Sequence, residues 1–464
     1  MRTIVLAGIL MACGGGPPSP PRPPAPAPQP ASSLPAPVPA KPTFPGTPAS
    51  ASGQQLAWVL DTIVARHGKV ERAELEAHFD AKFLAQVPSD QAVTVFAQMG
   101  AQLANLALAG VEGDDTQIVA RATAGDNKLQ ILLALDPATH KIATLAIRAD
   151  PDTAPRPQSF DDALRTIATL APKAQLLIAA LDKGTCRPLQ ELAATDELAI
   201  GSSFKLYVLL ALADRIIAGK AGWDDEIAVR DEWKSLPSGI TQNEPPGTKH
   251  SLRTLAERMI SISDNTAADH LLYTLGRKEV EAAVRSTKHA APALDTPFLS
   301  TRELFVFRLG TPPQEVERYV KLPEARRRDY LDKTLAGKDP NVGLAVEWKA
   351  ARRIDKIEWF ASSQDLCRTM AALWTRGQSR QGKPLLDVLA KHPSLQLDAK
   401  VWPYVGYKGG SEPGVLNMTY LLRRDDDKWF VVTLGFNAAE GGSLDDAKIL
   451  NVAAGVIELL GAAR

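Results

Sequence analysis

The chain has 464 residues, and its 53 lysines and arginines are matched by 53 aspartates and glutamates. A hydrophobic content of 45% with 23% charged residues is an ordinary globular balance, large enough for two or three domains, and zero formal net charge gives no basic surface for a nucleic acid. The seven histidines (His67, His78, His140, His250, His270, His289 and His392) show no HxxxH spacing and the three cysteines no CxxC, so neither a metal site nor a cofactor is expected, and a Ser-His-Asp triad is not the first choice.

Met1-Arg2 followed by the apolar run Ile4 to Ala12 reads as a secretory signal over residues 1–12. The run is too short for a transmembrane helix, which needs about 20 apolar residues. Leu10-Met11-Ala12-Cys13 resembles the bacterial lipobox, which implies lipidation at Cys13 and a membrane contact through that anchor. Residues 13–50 are dominated by Pro, Ala, Gly and Ser, a composition that favours extended polyproline-like chain over a packed core, and read as a tether. The expected location is therefore the bacterial cell envelope, facing periplasm or exterior.

Residues 51–150 form a first, small α+β domain. Leu56, Val59, Leu60 and Ile63 recur at helical spacing; further helices are expected near 71–83 and 92–106, then strands at 117–124, 128–135 and 141–148, with Asp136-Pro137 as a hairpin turn. Nothing there combines a nucleophile, a base and an orienting group, so a structural or binding role is expected. Asp150-Pro151 to Pro155-Arg156-Pro157 breaks the periodicity and marks the boundary to a second domain over residues 158–464.

That domain opens with a helix at 160–170 and an apolar strand at 175–181. Residues 205–217 are apolar almost all round, which predicts a buried central helix, and a helix at 252–260 follows. Strands at 405–408, 415–422 and 429–434 and a helix at 445–460 close the chain, so the sheet draws strands from both ends of the domain around inserted helices. Cys186 and Cys367 lie far apart; a disulfide and two buried free thiols both remain open.

Ser202 starts the central helix, where unpaired N–H groups favour a nearby anion, and Lys205, three residues on, projects from the same face. A serine needs a base, and a lysine serves as one when burial and a second cation lower its pKa. Lys408 is the natural second cation. Ser263 can relay a proton and Asn265 hold a substrate amide, with Asp264 bracing their loop. If the strand through Lys408 lies beside Ser202, the backbone N–H groups of Ser202 and Ser411 make an oxyanion hole, and Gly409-Gly410 let substrate approach the strand edge.

On Ser202-Ser203-Phe204-Lys205, Ser263-Asp264-Asn265 and Lys408-Gly409-Gly410, in that order, residues 158–464 resemble the serine β-lactamase and penicillin-binding-protein family, class A in particular. The resemblance implies an antiparallel sheet beside a helical subdomain, with Ser202, Lys205, Ser263 and Lys408 catalytic. Residues 51–150 ahead of it, and Thr296-Pro297-Phe298-Leu299-Ser300-Thr301-Arg302-Glu303, resemble the two-domain hydrolases related to the clavulanate-cluster esterase, whose N-terminal part is steroid-isomerase-like. Two departures stand out. The R-x-E-x-E-L-N deacylation loop of class A is absent, leaving Glu303 as the nearest candidate base. Gly409 replaces the usual Thr or Ser, deleting a hydroxyl that commonly binds a substrate carboxylate, for which Ser411 is the possible compensation. The charged stretch 304–358 is expected over one rim of the site.

The expected function is a monomeric serine hydrolase that acylates Ser202 with a β-lactam or a related ester or amide. A D-alanyl-D-alanine peptidase acting on cell-wall stems and a non-catalytic envelope binding protein are the alternatives.

Overall fold

The computed structural model describes residues 44–463 apart from 88, 126, 150–155, 237, 339–347, 393, 394 and 396. The signal sequence, Cys13 and most of the tether lie outside the described residues. The chain divides into two compact units at Thr153/Ala154.

The first unit places four helices, α1 (Ala51–Val64), α2 (Arg72–His78), α3 (Ala81–Gln86) and α4 (Ser89–Gln102), before an antiparallel meander of β1 (Leu106–Gly113), β2 (Gln117–Ala124), β3 (Asn127–Leu135) and β4 (Ile142–Ala149). Its core joins Leu56, Leu60 and Ile63 of α1 to Ile118, Ala120, Ile131 and Leu133 of the sheet, around Trp58, Phe79 and Phe96. Two expectations are corrected. The single helix near 71–83 is broken, because Phe79 is extended and bridges Ile142, and the third helix stops at Gln102. Residues 106–113 are then an edge strand, hard to read because only its first residue is buried and a register shift between Leu108 and Gly110 interrupts it. The turn after β3 is built by Asp136, whose carboxylate accepts the backbone N–H groups of Ala138 and Thr139 at 3.0 and 2.9 Å.

The second unit begins with α5 (Phe160–Leu170), capped by Ser159, then β5 (Lys173–Asp182), β6 (Thr185–Leu192) and β7 (Leu198–Ala199). A 3-10 turn over Gly201–Phe204 leads into α6 (Lys205–Ile217). The helical part contains the short pair β8 (Glu226–Ala228) and β9 (Lys249–Ser251), then α7 (Leu252–Ser261), α8 (Asn265–Leu275), α9 (Arg277–Ser286), α10 (Thr301–Phe305), α11 (Pro313–Val320) and α12 (Glu324–Tyr330). The chain returns through β10 (Phe360–Ala361), α13 (Ser363–Gly377), α14 (Pro384–Leu389), β11 (Tyr404–Glu412), β12 (Val415–Arg423), β13 (Trp429–Asn437) and α15 (Asp446–Ala462).

The main sheet has the order β11-β12-β13-β5-β6 with every pair antiparallel. Strand β6 escapes a sequence reading because it is a mostly exposed edge strand carrying Pro188. One sheet face packs on Ala163 and Ile167 of α5 and on Ile449, Val452, Val456 and Ile457 of α15. The other covers α6 and α13, and ten of the residues of α6 are buried, from Lys205 to Ala213 and Ile216. Cys186 of β6 and Cys367 of α13 form a disulfide, which decides between the two states the sequence left open. Within the charged stretch 304–358, Arg328 ties α12 to Glu281 of α9 at 2.7 Å, while residues 339–347 lie outside the described residues.

Candidate active site

Ser202 stands in the 3-10 turn ahead of α6, and one turn later Lys205 is fully buried with Nζ 3.1 Å from Ser202 Oγ. The same amine lies 2.6 Å from Ser263 O, 3.1 Å from Ser263 Oγ and 2.7 Å from Asn265 Oδ1. Lys408, on β11 and 3% exposed, places Nζ 3.2 Å from Ser263 Oγ and also donates to Gly409 O. Ser263 Oγ is therefore shared by two amines. The structure brings together Ser202, Lys205, Ser263, Asn265 and Lys408, which are separated by up to 206 residues of chain (408 − 202).

The loop that aims Ser263 is held from below. Ser263 has φ 56°, a left-handed backbone unusual for a residue with a side chain. Asp264 fixes it: Oδ2 accepts the N–H groups of Ile240 and Thr241, both at 2.9 Å, and Oδ1 accepts Ala267 N–H at the start of α8. Asn265 N–H donates to Ser238 O at 2.9 Å, and Ser238 Oγ donates to Ser263 O at 3.0 Å. Asn265 Oδ1 accepts from Lys205, so here the side chain orients the amine.

Two lysine ammonium groups in one dry pocket cannot both keep their protons cheaply. Burial is the main force on Lys205, opposed by Asp264 and Asp269, and leaves its pKa lowered to about 7. Lys408 is pushed well below the ordinary lysine value, first by burial and then by the Lys205 charge. Asp269, also fully buried, is raised to about 7 by desolvation although it accepts the N–H groups of Thr301 and Arg302.

Strand β11 runs directly against the nucleophile turn. A Cβ on Gly410 would stand 2.0 Å from Ile200 O and 2.6 Å from Ser202 N, so only glycine allows the strand this close. Ser411 follows it, exposed, with its backbone N 3.2 Å from where a Cβ on Gly201 would stand. Gly409 has a different reason to be glycine: a Cβ there would lie 2.0 Å from the Tyr407 hydroxyl. The missing side chain at 409 is thus space occupied by Tyr407.

Glu303 is placed elsewhere in function. Its oxygens accept from Arg277 at 2.7 and 3.0 Å and from Ser300 N–H at 2.7 Å, closing the capping box of α10. Its hydrogen bonds run to Arg277 and Ser300 rather than to the Ser202–Lys205 cluster. Sequence reasoning also missed the residues that mount the site. Asn437 binds both Ala199 N and Ala199 O at 2.9 Å, Asn417 binds Ser203, and Thr301 Oγ1 donates to Ser235 Oγ at 2.8 Å. Asparagines inside apolar strand runs were the available signal.

Among the described residues, Glu197, His289 and Asp365 form one group with metal-ligand character. Two of the three are committed otherwise: His289 Nε2 pairs with Phe360 O at 2.9 Å, Nδ1 accepts Ala291 N–H at 3.1 Å, and Asp365 accepts from Ala290, Ser362 and Arg368; Glu197 is raised to about 8, first by burial and then by the Asp365 charge.

Residues 159–457 match the family model described as the β-lactamase enzyme family. The chain belongs to that family. A second model, described as the ORF 12 gene product N-terminal, matches residues 47–139. Among curated proteins none matches. Solved structures with a similar fold include a β-lactamase from Sphaerobacter thermophilus, 17% identical with a TM-score of 0.44 over 65% of this chain and 94% of that one. Another is a β-lactamase from Chitinophaga pinensis, 15% identical with a TM-score of 0.43 over 65% and 97%. PBP-A is 15% identical with a TM-score of 0.41 over 67% and 99%. The second unit accordingly carries the antiparallel sheet and helices expected of the β-lactamase enzyme family.

Proposed function

We propose that the protein forms an acyl-enzyme on Ser202 from a β-lactam or a related ester or amide. The observation that carries this reading is the Lys205 amine, fully buried, lowered to a pKa of about 7 and 3.1 Å from Ser202 Oγ. Neutral Lys205 takes the Ser202 proton as Oγ bonds to the substrate carbonyl carbon, and the negative charge on the carbonyl oxygen is met by the N–H groups of Ser202 and Ser411. Collapse breaks the carbonyl bond to nitrogen or oxygen. The proton held on Lys205 passes through Ser263 Oγ to the leaving atom, with Lys408 stabilising the relay. Water then cleaves the ester, returning Ser202 and releasing the acid. With Glu303 bound to Arg277, that second half-reaction is expected to be slow.

The Cys186–Cys367 disulfide supports an oxidising compartment, in keeping with export and lipidation at Cys13. Time-resolved intact-mass measurement with a penicillin and with p-nitrophenyl esters tests the reading. A mass increase equal to the acyl group, absent in Ser202→Ala, is the expected result. Labelling that survives Ser202→Ala, or no adduct and no turnover with any probe, overturns it. Release of D-alanine from a stem peptide would instead assign the peptidase substrate class.

A further inference from the structure

The nucleophile turn is tied to the sheet by two buried asparagines on successive strands. Asn437, in register with Val415, holds both backbone groups of Ala199, the last residue of β7. Asn417 lies directly across the β11–β12 ladder from Gly410 and reaches over to the turn, accepting the Ser203 hydroxyl at 2.7 Å. The same Asn417 oxygen accepts Thr419 Oγ1 at 2.9 Å, which fixes its direction. Ser203, Asn417 and Thr419 are all fully buried.

The consequence is geometric. Of the two oxyanion donors, one sits on the residue before Ser203 and the other on the residue after Gly410. Asn417 grips the first segment by its side chain and the second by its backbone, so it sets the spacing between the two N–H groups. We propose that Asn417, acting through the Ser203 hydroxyl, is a positioning residue for the oxyanion hole. It touches no reacting atom. Its cost is a polar pair buried in an otherwise apolar strand, where β12 is buried from Val415 to Leu422. Packing alone would be served as well by an aliphatic residue.

This inference rests on the proposed acylation of Ser202, and the experiment separates the two. Saturation kinetics of acylation by an activated ester give a binding constant and a limiting rate for wild type, Ser203→Ala, Ser203→Thr, Asn417→Leu and the double variant Ser203→Ala/Asn417→Leu, with thermal unfolding measured on each. If wild type does not acylate, the proposed function fails and not the positioning role alone. If it does, Ser203→Ala is expected to lower the limiting rate by about 10- to 100-fold, the scale of a small misplacement of reacting groups, with the binding constant within about twofold. Ser203→Thr, which keeps the hydroxyl, should retain most of the rate. The double variant should lose no more than the worse single variant, since both remove one interaction. A limiting rate unchanged in Ser203→Ala while only the melting temperature falls, or losses that multiply in the double variant, overturns the inference. Should Asn417→Leu fail to fold, the Ala and Thr variants at 203 still decide it.

Discussion

A lysine that works as a base has to be made unlike other lysines, and residues around Lys205 do so by exclusion of water more than by any single contact. Burial favours the neutral amine, Asp264 and Asp269 hold the pKa at about 7 rather than lower, and the Lys205 charge in turn helps burial push Lys408 well below the ordinary lysine value. The sign of the pH dependence follows. Below about 7 the amine is protonated and cannot accept the Ser202 proton; above it the base is available, so the acylation rate should rise through that value and level off. Stopped-flow labelling across the range checks this, and Lys205→Arg, which cannot lose its proton, should cost about 10²- to 10⁴-fold without a rising limb. Glu303 offers a second test at this scale. If it only pairs with Arg277, Glu303→Gln leaves the lifetime of the covalent adduct unchanged and destabilises the fold by about 3–5 kcal/mol, as expected when one partner of a buried pair is removed. A lengthened adduct lifetime would assign it the water instead.

Helices and strands explain which parts of this arrangement could be read from the chain. The buried helix α6 announced itself through continuous apolar residues, and β12, β13 and β5 through apolar runs in a sheet covered on both faces, while the edge strand β11, Tyr404–Glu412, was expected only over 405–408. The edge strands β1 and β6 did not, because an exposed edge interrupted by a bulge or proline lacks the alternation that marks a strand. The motif residues were legible for their chemistry, while the parts that mount them, Asn417, Asn437, Asp269 and Thr301, look like any polar residue until the register is known. The pairing of Cys186 with Cys367 was of the same kind, since it depends on β6 and α13 being neighbours. That bond spans 181 residues and closes most of the site-bearing chain into a loop. Cys186→Ser with Cys367→Ser should therefore lower unfolding stability by about 2–5 kcal/mol in chemical denaturation, while labelling of the folded protein persists because neither cysteine touches the site.

At the scale of the molecule, the two units divide the work unevenly. Each has its own closed apolar core, one around Trp58, Phe79 and Phe96 and the other on the two faces of the five-stranded sheet. Every residue of the proposed machinery, from Ser202 to Ser411, belongs to the second unit, as do the asparagines and the disulfide that hold it. A unit with its own core, its own bridge and a complete constellation should fold alone. A chain of residues 154–464 is therefore expected to unfold cooperatively and to be labelled by an activated ester at a rate within about twofold of the full chain, the scatter of an unperturbed site. Circular dichroism with denaturant and the labelling assay measure both. If the fragment folds but loses labelling, the first unit contributes to the reaction, and a fold with no nucleophile and base of its own would need a substrate-recruiting explanation. If labelling is kept, the first unit acts outside the chemistry, and what it binds can be sought with the Ser202→Ala chain, where no covalent adduct confuses the result.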